Sequence, residues 1–123
     1  MKYAIQFHRS SRDHWDIRLE RDGVLKSWAI TKEPTNEHGI KRLAIQTPDH
    51  ALGYERFTGE IKEGYGRGTV KIWDSGSYDE ESWAKDKIVV KIEGKKLKGS
   101  FVLLHPKTFE KDNWLFFRKK ESP

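Results

Sequence analysis

His8, His14, Asp16 and Arg18 fall within eleven residues of one another near the start of a 123-residue chain. Neutral imidazoles and an ionised carboxylate are ligands for a divalent metal, and two His plus one carboxylate leave positions open for water and substrate. A guanidinium beside such a centre holds two phosphate oxygens at once and keeps its charge. From His14 onward the stretch alternates, with Trp15, Ile17 and Leu19 apolar and His14, Asp16, Arg18 and Glu20 polar. Period two predicts a strand whose polar face carries His14, Asp16 and Arg18 together. The preceding segment sets Tyr3, Ile5 and Phe7 against Ala4, Gln6 and His8, so His8 joins that surface if the two strands are neighbours. The chain contains no cysteine, which excludes disulfides and thiolate ligation. Nitrogen and oxygen donors of this kind suit manganese, iron or zinc.

The elements that position these groups read almost entirely as strands. Segments 2–8 and 14–21 are followed by Asp22-Gly23, a hairpin turn signal, and a third strand over 24–30. Lys32 follows that strand directly. A fourth strand is predicted over 41–47, with Leu43 and Ile45 on its apolar face and Arg42 opposite, facing the same concavity as Arg18. Pro48-Asp49-His50 ends it, which leaves His50 just past a strand end with Tyr54 four residues on. Imidazole titrates near neutral pH and suits proton donation or a bond to a phosphate oxygen. Strands are predicted over 55–61, 68–73, 76–79, 87–93, 97–104 and 113–119. A glycine-rich turn, Glu63 to Gly68, separates the first two of these. A short helix is predicted over 79–86, with Ser77 or Asp79 as its cap. About eight to ten short strands with scarcely any helix point to a mainly β sandwich or small antiparallel barrel with one or two short helices. The sequence reads as a single domain over 1–123.

Hydrophobic and charged residues each make up 35% of the chain, but five Trp, six Phe and four Tyr supply enough apolar surface for a folded core. A net charge of +5 fits a polyanionic partner and speeds association with one. No apolar run approaches the roughly 18 residues of a membrane span, and no signal-peptide core opens the chain. A cytoplasmic protein without a membrane partner, and a monomer, is the expectation.

Phe7 to Glu20 contains the pattern His-x5-His-x-Asp-x-Arg. Gly23-Val24-Leu25-Lys26-Ser27-Trp28-Ala29, Lys41-Arg42-Leu43-Ala44, Asp49-His50-x3-Tyr54, Glu63 to Asp74 and Lys95-Lys96-Leu97-Lys98-Gly99 follow in order. Taken together these stretches resemble the 3'-phosphoesterase domain of bacterial DNA ligase D and its stand-alone archaeal and bacterial relatives. The resemblance implies a small β-barrel with a concave active-site groove. It also implies manganese-dependent healing of 3' ends. A phosphodiesterase step removes a terminal ribonucleoside from a primer-template, and a phosphomonoesterase step then leaves a 3'-hydroxyl. It assigns His8, His14 and Asp16 to the metal, with zinc or cobalt as substitutes for manganese. It places Arg18, Lys32, Arg42, His50 and Gln6 on the substrate phosphate, with Arg18, His50 and Tyr54 in catalysis. The partners it implies are nucleic-acid 3' ends, together with ligase, polymerase and Ku-type end-joining proteins on separate chains.

Two departures bear on groove shape. The Ile30 to Pro34 loop lacks a proline before Lys32, and the Glu63 to Gly66 turn is one residue short. Larger family members carry an N-terminal tail that contributes to activity. With the sequence beginning close ahead of His8, the balance between the two steps is left open.

Two rival functions fit parts of the pattern. His14-x-Asp16 with His105 has the composition of an iron facial triad of an oxygenase, but that reading gives His8, Arg42 and His50 no role. A non-catalytic nucleic-acid-binding barrel would use Trp73, Tyr78 and Lys71 as a stacking and charge surface.

Overall fold

A computed structural model describes residues 1–64 and 67–120. Nine strands form one antiparallel sheet. They are β1 (Lys2–Arg9), β2 (His14–Arg21), β3 (Val24–Ile30), β4 (Arg42–Ala51), β5 (Gly59–Ile61), β6 (Gly68–Trp83), β7 (Lys87–Gly94), β8 (Lys98–Leu104) and β9 (Asn113–Arg118). Their order is β1-β2-β3-β4-β9-β8-β7-β6-β5, and a further β1–β6 pairing closes eight of them into a barrel. Closure removes the sheet edges that an open sheet of this length would expose. No helix is long and apolar enough to cross a membrane.

The first hairpins form as the alternation dictates. Asp22 and Gly23 both take positive φ, as a two-residue turn matched to strand twist requires. Tyr3 and Ile5 of β1, Ile17 and Leu19 of β2, and Trp28 and Ile30 of β3 face the barrel core. Tyr78, Ile88, Val90, Ile92, Phe101, Leu103, Trp114 and Phe116 complete it.

Four expectations are corrected. In β4 it is Ala44 that enters the core, while Leu43 and Ile45 are each 36% exposed on the outer face. Ala44 pairs with Ile30 on one side and Trp114 on the other. A small residue fits between two large ones, and period two then sends its neighbours outward. Second, Pro48 does not end the strand. Pairing resumes at Leu25↔His50 after a shift, so Pro48 sits at a bulge where its missing N–H costs no ladder bond.

Third, residues 79–83 belong to β6, which runs unbroken through the predicted gap between the 68–73 and 76–79 strands and pairs with β7 from Gly76↔Gly94 to Trp83↔Ile88. The acidic run favours a helix start locally, but burial of Tyr78 and the β7 ladder override it. Fourth, segment 55–61 divides into a 3-10 turn, Tyr54–Arg56, and the short β5. Tyr65 and Gly66 of the glycine-rich turn lie outside the described residues.

One buried carboxylate fixes the β7–β8 turn against β6. Asp74 accepts hydrogen bonds from the backbone N–H groups of Lys95, Lys96 and Leu97 and from the Tyr3 hydroxyl. Burial, then the Asp74 charge, pushes the Tyr3 phenol well above its usual range, so it stays a donor. Asp74→Ala leaves these donors without an acceptor and should cost about 3 kcal/mol. Urea unfolding of the variant against the parent measures it, and an unchanged midpoint would refute the role.

Candidate metal centre and phosphate site

His8 and His14 are direct cross-strand partners, as are Gln6 and Asp16. Cross-strand partners share a face, so β1 and β2 bring Gln6, His8, His14, Asp16 and Arg18 onto the outer wall of the barrel. His8 Nδ1 lies 3.1 Å from His14 Nε2 and 3.9 Å from Asp16 Oδ2, and His14 Nε2 lies 3.3 Å from the same oxygen. His14 Nδ1 is 3.2 Å from the Arg12 carbonyl. Donation there puts the proton on Nδ1 and leaves the Nε2 lone pair aimed at the cluster. The buried Nε2 of His8 has no hydrogen-bond partner among the described residues.

Three lone-pair atoms crowded together repel unless a cation or a proton sits among them. The hydrogen bond to Asp16 raises the His14 pKa, and burial opposes it. The group of His8, His14 and Asp16 therefore fits a divalent cation: the ligand atoms lie within 4.8 Å of one another and the donors are nitrogen and oxygen only.

Arg18 joins this cluster to a second one. Its side chain is 5% exposed, and its Nη2 lies 3.6 Å from Asp16 Oδ2. Nε donates to Gln6 Oε1 at 2.9 Å, and Nη1 lies 3.2 Å from His50 Nδ1. Burial lowers the Arg18 pKa while Asp16 raises it, and a guanidinium so placed stays charged. His50 Nδ1 also lies 3.1 Å from the Pro48 carbonyl. Nδ1 of His50 thus faces a donor, Arg18, on one side and an acceptor, the Pro48 carbonyl, on the other. Burial, then the Arg18 charge, lowers the His50 pKa, which keeps the ring neutral at pH 7. Tyr54 completes this side, with its ring 4.8 Å from His50 and 5.2 Å from the Arg18 guanidinium carbon.

Not every sequence-assigned residue takes the place expected of it. Gln6 is fully buried, and its polar atoms are engaged with protein. Oε1 accepts from Arg18, and Nε2 donates to the carbonyls of Tyr54 at 2.7 Å and Phe57 at 3.1 Å. It ties Arg18 to the turn that carries Tyr54. Lys32 is exposed in the β3–β4 loop and makes no contact with the cluster among the described residues. Arg42 has the register of Ala44 and Phe116, which face the core, and its Nε donates to the Glu33 carbonyl at 3.1 Å. His105 packs at a tilt against Trp114 and lies at hydrogen-bond distance from the Asn113 carbonyl, and neither contact joins it to His14 or Asp16. Tyr78 is core, so it offers no ring to a base. Sequence reasoning missed Phe57, stacked on Tyr54 at 5.2 Å and 10°. The only sequence signal for it was an aromatic residue three positions beyond Tyr54.

Residues 6–105 match the family model of the DNA Ligase D 3'-phosphoesterase domain. The chain is also 42% identical over 123 residues to the multifunctional non-homologous end joining protein LigD of Mycobacterium bovis, covering 96% of this chain and 16% of that protein. It is 38% identical over 128 residues to LigD of Pseudomonas aeruginosa, covering 98% of this chain and 15% of that protein. The chain belongs to the DNA ligase D 3'-phosphoesterase family. It spans about one-sixth of the length of these curated relatives, 16% in the first case. The matched region contains every residue of the metal cluster and of the Arg18–His50–Tyr54 group. Membership makes the chain a phosphoesterase-type hydrolase domain.

The raised pKa of His14 sets a sign for metal binding. A proton held by Asp16 competes with the cation to a higher pH than at a free imidazole, so binding strengthens as pH rises through and above 6.5. The increase in melting temperature caused by excess manganese should therefore be larger at pH 8 than at pH 6, and His14→Ala should abolish it. At about 100 times the dissociation constant the stabilisation amounts to about 2.7 kcal/mol. A shift that shrinks with rising pH would refute the assignment.

Proposed function

We propose that the domain heals nucleic-acid 3' ends in double-strand break repair, as a manganese-dependent phosphodiesterase and phosphomonoesterase. The observation that carries this reading is the single buried guanidinium of Arg18, which ties three lone-pair ligand atoms to a neutral His50. A metal centre joined to phosphate donors suits phosphoryl transfer to water better than either rival function. In the diesterase step water adds to phosphorus, the bond to the terminal ribonucleoside breaks, and a 3'-phosphate remains. In the monoesterase step a second water releases that phosphate and leaves a 3'-hydroxyl.

His8, His14 and Asp16 would hold the cation, whose chemistry when bound is Lewis-acid polarisation of a phosphoryl oxygen and orientation of water. Arg18 places fixed positive charge beside that position, where negative charge builds on the phosphoryl oxygens. His50, its pKa lowered by burial and then by the Arg18 charge, supplies a neutral imidazole beside that position. Tyr54 presents a hydroxyl that has no hydrogen bond to protein among the described residues. Gln6 holds the Arg18 fork and the Tyr54 backbone in register. Lys32 and Arg42, away from the cluster, suit the sugar-phosphate backbone, where basic groups bind without reading sequence. Ligase, polymerase and Ku-type proteins would act on the same ends from separate chains.

The test is a gel-resolved assay on primer-templates that end in one ribonucleotide or in a 3'-phosphate. Manganese should support loss of the ribonucleoside and then of the phosphate. Arg18→Ala and His50→Ala should each lose at least about tenfold in rate, the scale of one transition-state hydrogen bond. Binding with unchanged 3' ends would favour the non-catalytic barrel. Full activity in excess chelator would remove the metal from the mechanism.

A further inference from the structure

Leu43 and Ile45 have the alternation of core residues, yet both stand on the outer wall of the barrel. Cross-strand register places them beside the metal cluster. One row runs Gln6–Asp16–Ala29–Ile45 across β1, β2, β3 and β4. Neighbouring strands lie about 4.8 Å apart, so Ile45 is about 10 Å from the Asp16 position along the sheet. Leu43, one step along the same face, pairs with the half-buried Leu115 of β9. Ala29, Leu43, Ile45 and Leu115 therefore form an apolar shelf that begins one strand from a metal ligand. Solvent-facing positions in a barrel wall are ordinarily polar, and a contiguous apolar patch at such a place signals contact with something.

We infer that this shelf is the subsite for the nucleoside adjoining the reacting phosphate, a deepening that rests on the phosphoesterase reading. Four features select a nucleoside as the occupant. The shelf is continuous with the row that holds Asp16. It starts within one nucleotide's reach of the metal cluster. It is uncharged, unlike the Arg18–His50 side, so it suits the base and sugar better than the phosphate. Its side chains carry no hydrogen-bonding group, so contact with the flat face of a base would be indifferent to which base is present. The opposite flank, beyond β1, is covered by the Tyr54–Arg56 turn that Gln6 holds down.

The experiment uses primer-templates with a 3'-phosphate whose terminal residue is either thymidine or an abasic deoxyribose. Fluorescence anisotropy in chelator reads binding without turnover. Replacing both shelf residues, Leu43→Thr with Ile45→Thr, puts polar β-branched residues, which suit an exposed strand face, at both positions. It should weaken the base-bearing end by about fivefold and leave the abasic end within about twofold. Equal weakening of both ends, or none, overturns the subsite. A second measurement needs no variant: a primer ending in a diazirine-bearing nucleobase, whose photogenerated carbene inserts into aliphatic C–H bonds, should crosslink within 43–45 on the parent protein. Crosslinks confined to Tyr54 or Phe57 would overturn it. So would a parent dimer that the double variant dissociates with base discrimination intact, since the shelf would then join copies of the chain. A parent inactive on every 3' end would sink the catalytic reading alone, because both binding measurements remain readable.

Discussion

The hydrogen bond from Arg18 Nε to Gln6 Oε1 is the interaction on which the rest of the site depends. Arg18 is a buried cation on the outer wall of a barrel, and a buried charge is tolerated only when it is paired and its donors are satisfied. Asp16 supplies the counter-charge, His50 lies against Nη1, and Gln6 accepts a hydrogen bond from Nε. Gln6 has no solvent exposure, so water cannot replace it. Its other end binds two backbone carbonyls of the turn that carries Tyr54. A single amide therefore fixes the guanidinium, and through it the spacing between the His8–His14–Asp16 cluster and the His50–Tyr54 pair.

This arrangement explains why β1 is buried on both faces. Tyr3 and Ile5 pack into the core, while on the other face Gln6 lies beneath the Tyr54–Arg56 turn and His8 is buried against His14 and Asp16. A strand in the middle of such a sandwich has little freedom to move, which suits a site whose catalytic worth lies in preorganised charge. The contrast with the Leu43–Ile45 end of β4, away from His50, is chemical. There the same wall turns apolar and exposed, so the two flanks of the metal cluster differ in what they can hold: charge and hydrogen bonds on one, a flat uncharged surface on the other.

The titration behaviour of the two half-buried histidines follows from the same geometry. His14 bonds a carboxylate and is pushed towards the protonated form, whereas His50 is pushed away from it by burial and then by the Arg18 guanidinium. In the metal-free protein the raised His14 pKa contributes stability that is present below 6.5 and fades as pH rises through its folded value. The lowered His50 pKa contributes stability that is present above 6.5 and is lost as pH falls through its folded value. One cation between them, Arg18, and one anion, Asp16, set opposite signs across a few ångströms.

The alternation of residues 2–8 and 14–21, with the turn at Asp22-Gly23, already determined the first three strands and the shared face of His8, His14, Asp16 and Arg18. Local period and turn chemistry suffice there, because both strands of each pair carry the same signal and the connections are short. The family motifs placed His50 and Tyr54 near the phosphate without showing how. Only the tertiary structure decided that Gln6 holds the site from within, because a buried glutamine with both ends bonded looks in sequence like any polar strand residue. It also decided that Ala44 enters the core in place of Leu43 and Ile45, and that Arg42 follows it. The side that a strand buries depends on the volume left by Ile30 and Trp114, which lie 14 and 70 residues away in the chain. Likewise the acidic run of β6 stays extended because β7 offers it a ladder, a partner that no local pattern reveals.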